Sequence, residues 1–397
     1  MTEPIFTIEA RSGPSRAGLV RCRHGVVRTP AFVPLATSGT VKGLQSDEVA
    51  SLGYDMVLGN TFHLFITPGE DHVAEMGGLH EFMAWRRPII TDSGGFQVFS
   101  MGHGSVADEI KRSRGKGDSR IISIDEEGVR FQSYMDGSEK FMGPETSMEV
   151  QAKLGSDIAL AFDECTPFHV DRDYTARSTE RTHRWLERCV DWRAAHAPDW
   201  QHFYGIVQGG VYDDLRDESA ARVVSTPGLQ GIAVGGSLGD EKEQMHAIVE
   251  RSLRPVPDEW PRHLLGIGDV DDILAAVAVG IDTFDCATPT RLGRHGTALI
   301  PDPSRRWRVE LRKGAWHGSK EPIVDGCPCV ACREHTRGYI HYLIRERELT
   351  GVRLVTLHNL TFMALLMAGI RKSIVDGTFG DYRAAVLRGD GPYVSAT

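Results

Sequence analysis

The stretch SDIALAFDE, residues 156–164, is a short apolar run that ends in two carboxylates. Seven further apolar, β-branched runs end in a polar residue or a glycine: FVPLAT (32–37), DMVLGNT (55–61), PIITDSGG (88–95), HFYGIVQGG (202–210), GIAVGG (231–236), HLLGIG (263–268) and TFDCA (283–287). Near-continuous apolar runs are typical of parallel strands that are buried on both faces. Helix-compatible segments lie between the runs, so the sequence predicts an α/β fold, a closed (β/α)8 TIM barrel.

A doubly wound open sheet is the alternative arrangement of such strands and helices. No GxGxxG motif follows the first predicted strand, which disfavours a dinucleotide-binding open sheet. The alternation is broken at about residues 102–140, where RSRGKGD (112–118) predicts a loop and the residues after it predict a hairpin with a DG turn. We predict that this segment is an insertion after the third strand.

The composition is that of a soluble globular protein, with 41% hydrophobic and 25% charged residues. The N-terminus has no basic segment followed by an apolar run, and runs such as IALAF and LLMAGI are far shorter than the roughly 20 residues of a membrane span. The seven cysteines are an odd number with one tight triplet, which indicates a reducing compartment and a metal rather than disulfides. We therefore predict a cytoplasmic protein.

The charge is unevenly distributed along the chain. The formal net charge is −9, which taken alone disfavours a polyanionic partner. Between Cys286 and Arg353, however, thirteen Lys and Arg stand against seven Asp and Glu, a local charge of +6 that leaves −15 for the remainder. A basic face on an acidic body suits an RNA-binding protein, but chance clustering on a solvated surface gives the same numbers. Charge alone leaves both interpretations open.

The sharpest local pattern is Cys327-Pro-Cys329-Val-Ala-Cys332, followed 26 residues later by His358. Three thiolates and one imidazole are the ligands that tetrahedral Zn²⁺ prefers, and four protein ligands leave no open position for catalysis. The pattern predicts one structural zinc site, with an unrelated cysteine cluster as the alternative. His335 and His341 are nearer in sequence, but each is predicted to lie on the surface of a helix.

These patterns divide the chain into three parts, which together make up its 397 residues. We predict the barrel with its insertion in residues 1–300. A zinc-binding subdomain, inserted near the C-terminus, is predicted in residues 301–360. The final barrel helix and a C-terminal tail are predicted in residues 361–397.

Polar side chains follow four of the predicted strands. Asp92, Asp163, Gln208 and Asp285 follow the third, fourth, fifth and eighth strands, and barrel enzymes carry their catalytic residues at these strand ends. Three carboxylates on one rim repel each other and need a function or a metal, although each could instead cap the helix that follows it. No strand ends in His-x-His, which disfavours a metal. One carboxylate can attack an anomeric carbon to form a covalent glycosyl-enzyme, while another transfers protons.

Long collinear motifs resemble the tRNA-guanine transglycosylase family over about residues 5–375. The motifs are TDSGGFQVFS (91–100), FDEC (162–165), GIVQGG (205–210), GIAVG (231–235), FDCATPTR (284–291) and the cysteine–histidine set. The resemblance implies a zinc-containing barrel and a pentosyltransferase that exchanges guanine at wobble position 34 of tRNA with a GUN anticodon. The incoming base is a 7-deazaguanine of the queuosine pathway, and the family usually acts as a homodimer.

The resemblance also assigns roles to individual residues. Asp285 matches the nucleophile that attacks C1′ of the ribose, and Asp92 matches the general acid and base. The residues that match base-recognition groups are Asp163, Gln208 and the backbone of Gly231, Ile232 and Ala233, with Ser93 and Gln97 nearby. Phe96 and Leu265 match the residues that stack on the two faces of the base, and Arg291 and Arg294 match those that bind the anticodon loop. The zinc ligands of the family are matched by Cys327, Cys329, Cys332 and His358.

The identity of the incoming base and the role of the chain have more than one interpretation. Bacterial members that use 7-aminomethyl-7-deazaguanine (preQ1) normally carry Glu after AlaValGly, where this chain has Gly236, as queuine-inserting members do. The two bases therefore stay equally open. A DNA-directed base exchanger and a noncatalytic partner subunit are two further hypotheses; the second is disfavoured because Asp92 and Asp285 are both present.

Overall fold

The computed structural model describes residues 4–103, 120–166, 170–236, 238–239 and 241–392. The predicted loop RSRGKGD lies outside the described residues. The main sheet contains parallel strand segments at Ala31–Val33, Leu35–Ala36, Val57–Gly59, Ile89–Thr91, Ile158–Leu160, His202–Val207, Gly231–Val234, Arg262–Leu264 and Thr283–Asp285.

These nine segments form a closed barrel of eight strands, because the first two are one strand divided at Pro34. Ala31–Val33 pairs with Thr283–Asp285, and Leu35–Ala36 pairs with Val57–Gly59. Pro34 has no backbone N–H, but its carbonyl accepts a hydrogen bond from Leu58 N at 3.0 Å. The predicted (β/α)8 barrel is therefore confirmed, with each of the eight predicted runs forming one barrel strand.

Helices surround the barrel and cover the outer face of the sheet. They are Ser46–Ser51, Thr61–Ile66, Glu70–Glu75, Gly78–Phe82, Gly95–His103, Pro144–Leu154, Arg172–His196, Asp213–Ser225, Lys242–Leu253, Val270–Ala278, Thr288–Arg294, Leu349–Val375 and Phe379–Arg388. Buried apolar side chains from both strands and helices form one large core, in which Phe162, Trp185 and Phe284 are fully buried. This two-sided burial is the physical reason that the strands read as continuous apolar runs.

An antiparallel sheet closes the barrel at the end where the strands begin. Its strands are Phe6–Ser12, Ser15–Cys22 and Gly25–Thr29. Arg16 of this sheet and Asp282 at the start of the eighth strand are both fully buried and form a two-pronged ion pair, with distances of 2.9 and 2.5 Å. The ion pair ties the sheet to the barrel floor.

The sheet has a second contact with the barrel at Asp157, where two stacked histidines meet the carboxylate. His24 Nδ1 and His80 Nε2 lie 3.0 and 3.1 Å from the two oxygens of Asp157, which stands just before the fourth strand. The backbone N–H groups of His24 and Ile89 donate to the same carboxylate. Although burial acts to raise the pKa of Asp157, these bonds hold it below its usual range. The floor is thus joined to the barrel by two buried carboxylates.

The insertion after the third strand contains a three-stranded antiparallel sheet, formed by Ile121–Ile124, Val129–Gln132 and Glu139–Met142. Asp136 and Gly137 lie in the turn between its last two strands. Trp185 Nε1, on the long helix Arg172–His196, donates to the carbonyl of Glu126 at 2.8 Å. The sheet is therefore packed against the outside of the barrel.

The C-terminal region has a small core of its own, built from buried residues between Ala298 and Val355. Its elements are Thr297–Leu299, Arg308–Glu310, Val330–Glu334, Arg337–Arg345 and two short 3₁₀ turns, Pro303–Arg305 and Gly314–Trp316. The helix Leu349–Val375 contributes Leu354 and Val355 to this core and residues from Leu357 onward to the barrel core. One continuous helix thus joins the two units, and the division of the chain at residue 360 stays a prediction.

The same helix is long and apolar enough to span a membrane by length and composition. The prediction from uninterrupted apolar runs missed it, because polar residues such as His358 and Asn359 interrupt the run. Of its most apolar window, 67% is buried against the rest of the protein. This burial is what the core helix of a globular fold requires.

We predict that Arg16→Ala lowers the unfolding free energy by about 3–5 kcal/mol, because it leaves the buried charge of Asp282 unpaired. The matched control is Arg86→Ala, which removes an exposed ion pair with Glu81 and is expected to cost at most about 1 kcal/mol. Urea denaturation followed by circular dichroism measures both. Equal losses in the two variants would show that the buried pair does not hold the floor in place.

Candidate active site

Barrel closure brings four polar strand ends together on one rim. The carboxylates of Asp285 and Asp163 each act electrostatically on Asp92. Gln208 Nε2 donates to Asp163 Oδ2 at 2.6 Å, which joins the fourth and fifth strand ends directly. The four residues that the sequence placed at strand ends therefore line one site.

Asp92 is held by the loop after the second strand. Asn60 Nδ2 donates to Asp92 Oδ2 at 2.5 Å, and the backbone N–H of Thr61 donates to Oδ1 at 2.8 Å. Burial raises the pKa of Asp92 to about 7; the Thr61 bond opposes this shift, and the charges of Asp285 and Asp163 add to it. A carboxyl group with this pKa can both donate and accept a proton near neutral pH. Sequence analysis missed Asn60 and Thr61, although both stand at the end of the run DMVLGNT.

Asp163 lies at the centre of a buried network. Its Oδ1 accepts from Ser93 Oγ at 2.6 Å and its Oδ2 accepts from Gln208 Nε2. Burial raises the pKa of Asp163 to about 6, and these two bonds act against the shift. Gln208 Oε1 is buried and has no hydrogen-bond partner among the described residues. An unpaired buried acceptor beside a carboxylate is suited to a ligand that brings N–H donors.

Two positions at the rim have neighbouring atoms so close that a Cβ would contact them, and both are occupied by glycine. A Cβ on Gly95 would lie 2.3 Å from the carbonyl oxygen of Asp163. A Cβ on Gly236 would lie 2.2 Å from Gln208 Oε1, and its φ of +77° is in the left-handed region. A side chain at position 236 would therefore need the amide end of Gln208 to move, and it would have to adopt a strained backbone conformation. Both preQ1 and queuine stay open as the incoming base.

Gly231, Ile232 and Ala233 lie within the sixth strand, in register with Tyr204, Gly205 and Ile206 of the fifth strand. Their part in base recognition stays a prediction. Residues that directly follow the strand lie at the rim.

Gly235 is one of these residues, and it reaches the rim together with Leu265. A Cβ on Gly235 would lie 3.2 Å from Gln208 Nε2 and 3.4 Å from Leu265 Cδ1. The paired glycines that directly follow the apolar run were the signal that could have identified this position. Leu265 and Gln208 therefore lie close to the same glycine, and the stacking role of Leu265 stays a prediction.

Asp285 ends the eighth strand and is 7% exposed. Its Oδ1 lies 3.1 Å from His263 Nε2 and accepts from the backbone N–H of Gly266, also at 3.1 Å. His263 is fully buried in the seventh strand. Sequence analysis did not single out His263, although it is the first residue of the run HLLGIG.

Phe96 and Gln97 begin the helix that follows Asp92. Phe96 is 47% exposed, which is unusual for a large apolar side chain and leaves its ring available for stacking. Gln97 is half-buried. The structure therefore places both residues at the start of the helix next to the rim.

Arg291 and Arg294 belong to the helix Thr288–Arg294, which begins three residues after Asp285. Neither forms an ion pair with any part of the chain that the structure describes. Burial lowers the pKa of Arg294, and the positive charge of Arg291 lowers it further. Two neighbouring cations without a carboxylate partner attract anions such as phosphate, and the role of these arginines in tRNA binding stays a prediction.

The three cysteines and His358 form a buried cluster. His358 Nδ1 lies 3.6, 3.5 and 3.3 Å from the sulfurs of Cys327, Cys329 and Cys332. A tetrahedral ion about 2.3 Å from sulfur and about 2.0–2.1 Å from nitrogen would separate these atoms by about 3.5 Å. His358 Nε2 lies 2.7 Å from the carbonyl of Leu299, which fixes the ring with Nδ1 free to bind an ion. The four residues can therefore hold a metal.

His341 is not part of this cluster, and the prediction that it lies on a helix surface is wrong. It is 5% exposed, and its Nδ1 lies 2.6 Å from the carbonyl of Leu311. His341 lies on the apolar face of the amphipathic helix Arg337–Arg345, together with Ile340 and Ile344. This helical periodicity was the sequence pattern that could have predicted its burial.

Comparison with known proteins extends over almost the whole chain. A family model described as queuine tRNA-ribosyltransferase matches residues 11–391. The protein of that name from Roseiflexus sp. (strain RS-1) is 48% identical over 395 residues, which cover 96% of this chain and 98% of that protein. The protein of that name from Synechococcus sp. (strain CC9311) is 46% identical, and the match covers 92% of each chain. The one from Pelotomaculum thermopropionicum is 43% identical, and the match covers 96% of this chain and 97% of that protein. The chain therefore belongs to the queuine tRNA-ribosyltransferase family.

Proposed function

We propose that this chain is a pentosyltransferase that exchanges guanine at wobble position 34 of tRNA for a 7-deazaguanine, in queuosine modification. The observation that carries the proposal is the shared rim, on which Asp92 and Asp285 interact electrostatically and Asp92 has a pKa of about 7. Exchange without energy input requires that the ribose stays covalently bonded after the first base leaves, so that the second base can take its place. A nucleophilic carboxylate can form that bond, and a second carboxylate can transfer the protons.

In the first displacement, a carboxylate oxygen of Asp285 forms a bond to C1′ of the ribose while the bond from C1′ to guanine breaks. The departing base takes a proton from the carboxyl group of Asp92. In the second displacement, the incoming base gives a proton to Asp92 and bonds to C1′, and the ester bond to Asp285 breaks. Two inversions retain the configuration at C1′. To reach the rim, the nucleotide must leave the anticodon stack.

Base recognition is assigned to the network around Asp163. Asp163 accepts hydrogen bonds, and Gln208 Oε1 offers a further acceptor, so together they suit the N–H edge of a guanine-like base. Ser93 and Gln97 lie nearby, and Phe96 and Leu265 are assigned to the two faces of the ring. Both preQ1 and queuine remain candidate incoming bases.

Transfer RNA is favoured over DNA as the polymer. The named relatives act on tRNA by their printed names, and they match this chain across the zinc region as well as the barrel. Arg291 and Arg294 are assigned to the anticodon loop, because they stand next to the nucleophile without carboxylate partners. A noncatalytic role is disfavoured, since both Asp92 and Asp285 are present on the rim.

The metal that we assign to the cluster is one structural Zn²⁺. Its ligands are Cys327, Cys329, Cys332 and His358, and with four protein ligands it would hold the C-terminal unit rather than take part in the reaction. The family resemblance further implies a cytoplasmic homodimer.

We predict that Asp285→Asn reduces the exchange of labelled guanine into tRNA at least about 10⁴-fold and abolishes the covalent adduct, because an amide cannot serve as the nucleophile. Binding of tRNA, measured by filter retention, is expected to change less than threefold. Asp199→Asn, an exposed aspartate away from the rim, is the matched control and should retain full exchange. Exchange by Asp285→Asn at the wild-type rate would overturn the assignment.

The rate of guanine release in a single turnover should fall as the pH rises through about 7. The protonated form of Asp92 donates the proton, and its fraction decreases tenfold for each pH unit above its pKa of about 7. Asp163, with a pKa of about 6, is already ionised in that range. Asp92→Asn should be slow and should lose this dependence. A flat wild-type profile between pH 7 and 9 would exclude Asp92 as the acid.

Replacing Cys329 with Ser is expected to release the metal and to lower the midpoint of thermal unfolding, because the ligand set loses one thiolate. Metal content is measured by plasma mass spectrometry. Cys22→Ser changes a cysteine outside the cluster and should keep about one zinc per chain. Equal metal content in the two variants would contradict the ligand set.

A further inference from the structure

The two oxygens of the Asp285 carboxylate have different surroundings. Oδ1 faces two donors, His263 Nε2 and the backbone N–H of Gly266, each at 3.1 Å. No hydrogen bond to Oδ2 is present among the residues that the structure describes. The electron pairs of Oδ2 are therefore not engaged by a protein donor, whereas Oδ1 is fixed to the protein.

His263 is fixed in turn by Thr283. The two residues are direct neighbours across the ladder of the seventh and eighth strands, and His263 Nδ1 lies 2.9 Å from Thr283 Oγ1. A carboxylate only accepts hydrogen bonds, so Nε2 carries the hydrogen that points to Asp285. Nδ1 then accepts from the hydroxyl of Thr283. The hydrogen bonds run in one direction, from Thr283 through His263 to Asp285.

We propose that His263 is a positioning residue that selects Oδ2 of Asp285 as the attacking oxygen and stabilises the carboxylate when the ribosyl ester breaks. This inference rests on the proposed function. The ester forms as an electron pair of Oδ2 bonds to C1′ and the bond from C1′ to the base breaks, which leaves Oδ1 as the ester carbonyl. When the incoming base displaces Oδ2, the electron pair returns to the carboxylate, and the hydrogen bonds to Oδ1 strengthen with its charge.

The direction of the effect follows from this change in charge. Hydrogen bonds from His263 and Gly266 are stronger to the free carboxylate than to the neutral ester, so they favour breakdown of the adduct over its accumulation. Removing the imidazole donor should raise the adduct relative to free enzyme. A charge-assisted hydrogen bond of ordinary strength corresponds to about a tenfold change or more.

The test uses the full-length zinc-containing protein, tRNA and labelled guanine. His263→Phe is expected to raise the ratio of adduct to free enzyme at a fixed guanine concentration about tenfold. It should also lower kcat for exchange at least about tenfold, with KM for tRNA within about twofold of wild type. His263→Gln keeps an N–H donor at the same reach and should recover most of the wild-type ratio. Thr283→Val leaves the imidazole but removes its orienting partner, so a smaller rise, about threefold, is expected.

A purely structural role for His263 would lower stability without changing the ratio of adduct to free enzyme. If His263→Phe does not fold, Thr283→Val is the deciding variant, because it removes only one buried hydroxyl group. An unchanged ratio of adduct to free enzyme in Thr283→Val overturns the inference. An unchanged ratio in His263→Phe does the same. If wild-type protein forms no adduct at all, the proposed function fails. If it does form one and the variants leave the ratio unaltered, only the role of His263 fails.

Discussion

The pairing of the first barrel strand on both sides of Pro34 is the constraint on which the site depends. Through Ala31–Val33 it contacts the eighth strand, and through Leu35–Ala36 it contacts the second. Without that closure, the ends of the second and third strands would not stand opposite the end of the eighth. Asp92 and Asp285, which are 193 positions apart in sequence, would then have no reason to share a site.

Placing three carboxylates on one rim carries an electrostatic cost, which the surrounding donors offset to different degrees. Asp163 is stabilised by Ser93 and Gln208, and Asp285 by His263 and Gly266. For Asp92, the bonds from the loop after the second strand do not compensate for burial, so its pKa stands near 7. The different environments of the three carboxylates are consistent with the proposed roles of proton carrier, nucleophile and recognition group.

Much of this arrangement was predictable because it depends on local patterns. The strands are apolar on both faces, so each appears as a continuous run, and residues at their ends fall on the rim by topology alone. The cysteine–histidine cluster was predictable because three of its four residues lie within six positions. Motif resemblance added the roles of Asp92 and Asp285, which spacing alone left open among several carboxylate chemistries.

Other parts of the site depend on contacts between distant residues and could not be predicted in this way. The motif around Gly231 forms the sixth strand as predicted, but the boundary between strand and rim falls after Val234, because Gly231–Val234 pairs with the fifth strand. The donors to Asp285 include a histidine that is indistinguishable in sequence from an ordinary core residue. Gly236 has a φ of +77° and lies against Gln208 Oε1, and neither feature can be read from the sequence.

Localisation of the ribose on the protein is the most direct test of covalent catalysis by Asp285. The reaction is stopped by denaturation, the RNA and the protein are digested, and mass spectrometry identifies the peptide that carries the ribosyl group. Attachment to Asp285 is expected, in the peptide that contains the eighth strand. Attachment to Asp92 or Asp163, or a reaction that proceeds with no attached ribose, would exclude Asp285 as the nucleophile.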